Sequence, residues 1–246
     1  VIAWGANQLN QSNVPSNVGT AIDIAAGGAH SLAIRSNGTV AGWGRNSSGQ
    51  VNVPAILTDA VSIAAGGNHS LAARAGGSVL AWGSNTFTQT AVPAGLTGVV
   101  QVGAGEIHSI ARRSNGTVAA WGGNVNGQTT VPASLTDAAD IAGGGYHNLA
   151  IRANGTVVAW GLNDFSQCTV PAGLSSVVDV AAGRYHSLAL RADGTVAAWG
   201  YNATHQIDVP ANLGPVSQIA AGAFFSAATR DGCPQDPNKD EPGLCG

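Results

Sequence analysis

Residues 114–124 contain Ser114-Asn-Gly-Thr-Val-Ala-Ala-Trp121-Gly-Gly-Asn124, and close variants of this segment recur every 39 residues along the chain. The tryptophan marks the period without a slip. All six tryptophans of the chain fall on it: Trp4, Trp43, Trp82, Trp121, Trp160 and Trp199. An unbroken period of this length predicts an array of one supersecondary unit. Function is then best sought where the repeat varies.

Each repeat has the pattern of four short β-strands. In the third repeat these are residues 100–103, 109–113, 117–122 and 128–131. Asn115-Gly116 between the second and third predicts a two-residue type I′ hairpin, in which both central residues have positive φ. Pro132 ends the fourth strand and suits an edge, because proline cannot donate to a ladder. Four strands in about 40 residues is the size of one propeller blade.

The two ends of the chain each carry half a repeat. Residues 1–5 correspond to a third strand, and the last repeat stops after a second strand that ends at Arg230. The sequence therefore predicts an all-β, six-bladed β-propeller of four-stranded blades over residues 1–232, with the last blade closed by the N- and C-terminal strands. Residues 233–246 form a separate Cys/Pro-rich tail.

Composition argues against several classes of function. The net charge is −3, charged residues make up 9% of the chain, and Lys239 is the one lysine. A nucleic-acid-binding protein needs a basic surface that this chain lacks. No apolar run is long enough to cross a membrane. No Asp/Glu pair, nucleophile arrangement or Cys/His metal spacing stands out from the repeat, so we expect a non-enzyme without cofactor, metal or catalytic residues. The predicted propeller is expected to be a monomer.

Three residue types that recur in register are expected to be structural. The histidines predict a hydrogen bond from each imidazole to a backbone carbonyl between blades, in preference to a metal ring: His30, His69, His108, His147 and His186. The tryptophans are expected to pack between blades rather than to serve as sugar-binding platforms. The repeated arginines are expected to form structural pairs, some of them with Asp23, Asp140 and Asp179.

Aromatic residues depart from the repeat in three consecutive blades, on two loops that leave the same rim. They and two neighbouring polar residues are the predicted binding site: Tyr146, Phe165, Arg184, Tyr185, Tyr201, His205, Phe224 and Phe225. Tyr and Arg on loops of a rigid scaffold are typical of protein–protein hot spots. Protein recognition is the favoured function. A carbohydrate-binding propeller and a structural spacer of a larger cell-surface protein are the alternatives.

The motifs Gly-x-x-His-Ser (residues 66–70 and 183–187), Asn-Gly-Thr-Val and Ala-Trp-Gly-x-Asn-x-x-x-Gln resemble the regulator of chromosome condensation repeat. The short unit is similar to the secreted bacterial form found in propeller-type β-lactamase inhibitor proteins. That resemblance implies a secreted or cell-surface bacterial protein with a protein partner. It does not imply the nucleotide-exchange activity of the nuclear members, whose added elements are missing here.

The tail resembles the start of a thrombospondin type 3-like segment. The extracellular setting that this implies would allow Cys233 and Cys245 to pair. A Pro-rich tail with free thiols is the alternative. Asp236, Asp240 and Glu241 are too few hard ligands for a closed calcium site in this chain. Cys168 is expected to act as a small apolar residue.

Overall fold

The computed structural model describes residues 1–230, in which every regular element is a β-strand. Six antiparallel sheets follow one another along the chain, and within each sheet the strands are neighbours in chain order. Five sheets have three strands: β1 (Ala21–Ala26), β2 (His30–Arg35), β3 (Val40–Gly44); β4 (Ala60–Ala65), β5 (His69–Arg74), β6 (Val79–Gly83); β7 (Val99–Ala104), β8 (His108–Arg113), β9 (Val118–Gly122); β10 (Ala138–Gly143), β11 (His147–Arg152), β12 (Val157–Gly161); β13 (Val177–Ala182), β14 (His186–Arg191), β15 (Val196–Gly200). The sixth has two, β16 (Val216–Ala221) and β17 (Ser226–Arg230).

The described residues also bear on membrane insertion. Residues 1–230 include no helix with the length and apolar character needed to cross a bilayer.

The hairpin between the second and third strands differs from the type I′ turn expected from Asn115-Gly116. Gly116 has φ of +80°, whereas Asn115 is not among the residues with positive φ. The Gly116 amide donates to the Arg113 carbonyl (3.0 Å), and the Arg113 amide donates to the Thr117 carbonyl (2.9 Å). This is a three-residue loop, a type I turn followed by a left-handed glycine. The Asn115 side chain stabilises it by accepting from both the amide and the hydroxyl of Thr117.

The predicted fourth strand of each repeat is absent from the described residues, so the sheets have three strands rather than four. In the third repeat, residues 128 and 129 lie in a turn and residues 130 and 131 have no regular structure. Their amides are satisfied locally: Asn124 Oδ1 accepts from the Thr129 amide (2.9 Å), and the Thr130 amide donates to the Gly127 carbonyl (3.0 Å). Because these donors are already used within the loop, they cannot pair in a ladder.

The core is a series of apolar layers between adjacent sheets. At the first junction, Leu32 and Ile34 of β2 pack with Ile63 of β4 and Trp82 of β6. Corresponding residues form the next junctions, so the same layer is repeated along the array. The tryptophans of the second to fifth sheets thus each belong to one sheet and pack against the sheet before it.

The predicted closure of the ring by residues 1–5 is wrong for this structure. These residues form no strand, Trp4 is 87% exposed, and β17 pairs with β16 alone. The face of β1 also stays open: Ile24 is 63% exposed, whereas the equivalent Ile63 is 7% exposed. The repeat period determines the sheets, but closure depends on the sum of the angles between sheets, which the period does not encode.

Candidate functional site

A buried hydrogen-bond network links each sheet to the next. The His69 Nε2 atom lies 3.0 Å from the Ser109 hydroxyl of the following repeat, and Ser109 donates to the Gln89 carbonyl (2.7 Å). The Trp121 indole N–H donates to the same carbonyl (2.9 Å). Because the serine hydrogen is directed to the carbonyl, its oxygen must accept from His69, and the imidazole is protonated on Nε2. Asn148 replaces the serine at one junction and accepts from His108.

The histidines therefore have a structural role, but the acceptor differs from the backbone carbonyl expected from the sequence. The imidazole donates to a hydroxyl or amide oxygen, which in the serine repeats relays the bond to a backbone carbonyl. The repeated glycine before each histidine is required by the close approach of the ring. A Cβ on Gly66 would lie 2.3 Å from His69 Cε1 and 2.5 Å from the Gly105 carbonyl oxygen.

Burial keeps these imidazoles neutral. It lowers the pKa of His30 and His108 to about 4. It also lowers the pKa of His69 and His147, which the neighbouring histidines depress further, to about 3. Burial lowers the pKa of His186 as well. Within residues 1–230, no group of three His, Cys, Asp or Glu side chains is placed to hold a metal ion.

The five tryptophans of the three-stranded sheets are 6–8% exposed, and their indole N–H groups are all bonded to glutamine carbonyls. A sugar cannot stack on rings that are buried in this way. Trp4 differs from the other five because it is exposed.

The repeated arginines form structural contacts, although with partners other than Asp23, Asp140 and Asp179. Arg74 pairs with Asp59 (2.6 Å) and Arg152 pairs with Asp137 (2.7 Å), each aspartate preceding the first strand of a sheet. Asp23 and Asp179 form no ion pair in the part of the chain described, and burial raises the pKa of both. Asp140 accepts from Gln101 of the preceding sheet.

Five of the eight predicted binding residues form one cluster. Phe165 is the centre of edge-to-face contacts with Tyr185 (5.3 Å between ring centroids) and Tyr201 (4.9 Å). Tyr146 stacks on Tyr185 at 6.2 Å, and the Arg184 guanidinium lies 5.6 Å from the Tyr185 centroid. We call Tyr146, Phe165, Arg184, Tyr185 and Tyr201 the aromatic cluster.

Backbone hydrogen bonds fix the loops that carry the aromatic cluster. The Leu162 amide donates to the Tyr146 carbonyl, and the Tyr201 amide donates to the Tyr185 carbonyl, both at 2.9 Å. These bonds join the two variable loops of each blade. Tyr146 and Tyr185 also immediately precede the buried His147 and His186, which anchor their strands.

The other three predicted residues lie elsewhere. His205 is exposed and pairs with Asp208 (2.7 Å). Together with Phe224 and Phe225 it lines a groove of about 290 Å³ beside the two-stranded sixth sheet. Sequence reasoning placed all eight on one rim, but it could not separate the aromatic cluster from this groove.

Cys168 is the cysteine that lies within the described residues. The Cys168 thiol contacts the Leu162 carbonyl, and burial raises its pKa to about 12, so it is an unreactive, partly buried side chain. Cys233 and Cys245 lie outside the described residues, as does the boundary predicted at residue 232.

The Asn and Gln that recur after each tryptophan were visible in the sequence, but their role was not predicted from it. In the third repeat, Gln128 Oε1 accepts from the Asn126 amide (2.8 Å) and Asn124 accepts from Thr129. Their fixed distance after each tryptophan was a usable signal, because Asn and Gln side chains commonly accept from loop amides.

Comparison with known proteins agrees with this architecture. The model of the regulator of chromosome condensation (RCC1) repeat matches five segments, residues 21–50, 60–89, 99–128, 138–167 and 177–206, which together exceed half of the chain. A search of curated proteins found no significant sequence match.

Solved structures show the same fold. The RCC1 protein Prp20p of Saccharomyces cerevisiae superposes with a TM-score of 0.73 at 23% identity, over 86% of this chain and 70% of that one. The same yeast protein bound to Kap60 gives 0.72 at 24%, over 85% and 67%. The CRINKLY ectodomain of the Arabidopsis thaliana receptor kinase ACR4 gives 0.72 at 20%, over 92% and 82%. With its repeated His–Ser–Gln–Trp junctions and five matched segments, the chain belongs to the RCC1 repeat family of β-propeller proteins.

Proposed function

We propose that this chain is a non-catalytic binding propeller that recognises a protein through the aromatic cluster. The observation that carries the proposal is the convergence of four aromatic rings and one guanidinium from two consecutive repeats. The repeat itself does not require them. The positions equivalent to Tyr185 hold Ala29, Asn68 and Ile107 in the first three sheets, and those equivalent to Tyr201 hold Arg45, Ser84 and Gly123.

The chemistry of the cluster suits a protein surface. Phe165 is 42% exposed, while the three tyrosines and Arg184 are half-buried, so the rings are partly pre-ordered before binding. Aromatic rings that are already packed together lose little conformational freedom on association. The positively charged Arg184 guanidinium beside the Tyr185 ring favours a partner that presents a carboxylate or carbonyl oxygen there.

The family supports protein recognition. The yeast RCC1 protein has been solved bound to Kap60 and is described as binding Gsp1p and histones. At 23–24% sequence identity, the yeast protein shows only that the fold is shared, so none of these partners is assigned to this chain. Catalysis has no support in the repeat, because the recurring serine hydroxyls already donate to glutamine carbonyls.

The proposal includes the cellular location of the protein. We place the protein outside a bacterial cell, since its short repeat is similar to that of secreted inhibitor propellers and its tail resembles an extracellular segment. An extracellular protein partner follows from this placement.

The test compares the double variant Tyr185→Ala/Tyr201→Ala with wild type and with Phe87→Ala. Phe87 is the matched control, because it occupies the loop position of Phe165 two repeats earlier and is 45% exposed. Partners are captured by wild type from culture medium and, in parallel, from cell lysate, and their affinities are then measured. We expect the double variant to weaken binding by about 2 kcal/mol or more, roughly 30-fold in Kd, with an unchanged melting temperature.

Two results would contradict the proposal. If the double variant melts earlier but binds normally, the rings stabilise the rim and are not an interface. If wild type binds immobilised glycans and no protein, the chain is a lectin. A specific partner found only in the lysate would contradict the extracellular location while leaving protein recognition intact.

A further inference from the structure

The sequence contains four asparagines that are followed directly by glycine, which is the neighbour that most favours loss of the side-chain amide. The glycine nitrogen attacks the asparagine Cγ and closes a succinimide ring, and Nδ2 leaves as ammonia with the proton that the glycine nitrogen gives up. Water then opens the ring at either carbonyl and leaves aspartate or isoaspartate. Three of the pairs lie in the hairpins between second and third strands and one lies in the loop after β9: Asn37-Gly38, Asn115-Gly116, Asn154-Gly155 and Asn126-Gly127.

The attacking nitrogen is held in the same way in all four pairs. Gly127 has φ of +76° and its amide donates to the Asn124 carbonyl (3.1 Å), just as Gly116 has φ of +80° and donates to the Arg113 carbonyl (3.0 Å). Exposure does not single out the loop pair either, because Asn126 is half-buried whereas the three hairpin asparagines are exposed. A difference in reactivity must therefore come from the asparagine side chain and from contacts with other repeats.

Hydrogen bonds restrain the side chains of the three hairpin asparagines. Asn115 Oδ1 accepts from the Thr117 amide (3.1 Å) and the Thr117 hydroxyl (2.7 Å), and Asn37 and Asn154 accept the same two bonds. Ring closure changes both the side-chain torsion and the backbone ψ of the asparagine, and this disrupts the two bonds. The Asn126 side chain makes no hydrogen bond to any of residues 1–230, since only its backbone amide is used, as a donor to Gln128 Oε1 (2.8 Å). Its Cγ can rotate toward the glycine nitrogen without losing a bond.

The following sheet also fixes the backbone of the hairpin pairs. A Cβ on Gly116 would lie 3.0 Å from the Thr136 carbonyl oxygen, and the Gly116 carbonyl accepts from the Ala138 amide (2.9 Å). The other two hairpin glycines make the corresponding contacts. Gly127 differs, because a Cβ there would have no atom within 4 Å and its carbonyl accepts from Thr130 of the same loop (3.0 Å). Ring closure at Asn126 therefore disturbs one loop, whereas ring closure in a hairpin disturbs the contact between two sheets.

We infer that Asn126 is a site of spontaneous deamidation in the folded protein, and that the fold protects the three hairpin asparagines from the same reaction. The product carries a new carboxylate, and isoaspartate also adds one methylene to the backbone, which the open space at Gly127 accommodates. Asn126 precedes Phe165 by one period of 39 residues. The new negative charge thus appears on the rim of the aromatic cluster, in the neighbouring repeat, without any modifying enzyme.

The experiment follows all four sites in one chain. Purified wild type is incubated in mildly alkaline buffer and digested at intervals, and tandem mass spectrometry assigns each deamidated residue. In the folded protein we expect deamidation at Asn126 to be at least about tenfold faster than at each hairpin asparagine, which corresponds to about 1.4 kcal/mol in activation free energy. The same incubation in concentrated urea should bring the four rates together, because all four residues are then followed by an unrestrained glycine.

Two matched variants identify the source of the fast reaction. Asn126→Gln should remove it, because the longer side chain closes its ring far more slowly, whereas Asn115→Gln should leave it unchanged. Equal rates at Asn126 and the hairpin asparagines in the folded protein overturn the inference. A rate difference that persists unchanged in urea also overturns it, because the local sequence and not the fold would then account for the difference.

Discussion

At the scale of single residues, the histidine is the most constrained part of the repeat. His108 is fully buried, and its Nε2 lies 2.7 Å from Asn148 Oδ1 of the next sheet. Asn148 in turn donates to the Gln128 carbonyl, which also accepts the Trp160 indole N–H. Loss of one member therefore leaves buried polar atoms of its neighbours without a partner.

Replacing His108 by Ala should lower the free energy of unfolding by about 1–3 kcal/mol, because Asn148 Oδ1 loses its buried donor. Urea denaturation measures the change. His205→Ala is the control, since the His205 side chain is 84% exposed and should be dispensable for stability. Equal stability of both variants would show that the inter-sheet bond contributes nothing.

At the scale of the structural element, the hairpin between the second and third strands depends on one left-handed glycine. Gly77 has φ of +77°, and a Cβ added there would lie 2.9 Å from the Gly98 backbone. Its neighbour Gly76 has no positive φ, and a Cβ added there would have no atom within 4 Å. The two adjacent glycines therefore have different roles in one turn.

Gly77→Ala should destabilise the protein by about 1–3 kcal/mol, because it combines a disfavoured φ with a backbone clash. Gly76→Ala should be neutral or stabilising by up to about 1 kcal/mol, because alanine restricts the unfolded chain without strain in the turn. Thermal or urea unfolding of the pair provides the measurement. The same loss in both variants would mean that the turn conformation described here is wrong.

At the scale of the whole molecule, the five histidines act together. Each is neutral in the folded state because burial lowers its pKa from 6.5, to about 4 for His30 and His108 and to about 3 for His69 and His147. The unfolded chain therefore binds more protons than the folded chain between about pH 6.5 and 4. Stability is fully present above this window and is lost as the pH falls through it.

We expect the free energy of unfolding to fall steadily from pH 7 to pH 4, with each buried histidine contributing up to about 1.4 kcal/mol per pH unit. Asp23 and Asp179, whose pKa values burial raises, oppose the trend, but they are two groups against five. Urea titrations at several pH values measure the slope, and His108→Ala should reduce it. A slope unchanged by that variant would show that His108 is already protonated in the folded state.

The repeat period, the all-β class, the number of sheets and the pairing of the second and third strands could be predicted from sequence because they depend on local patterns. Trp82, Trp121, Trp160 and Trp199 already showed where four of the junctions lie. The members of the aromatic cluster could also be named, since Tyr185 and Tyr201 stand where the repeat has no aromatic residue.

Tertiary structure decided the features that depend on several repeats at once. The Ser109 hydroxyl rather than a backbone carbonyl receives His69 because two sheets meet there, and no single repeat contains both residues. The amides of residues 129 and 130 are used within a loop, so no fourth strand forms. Trp4 and the groove beside the sixth sheet stay apart because closure depends on the angles added at every junction. A small difference at each junction accumulates along the array, and no local pattern in the sequence records that sum.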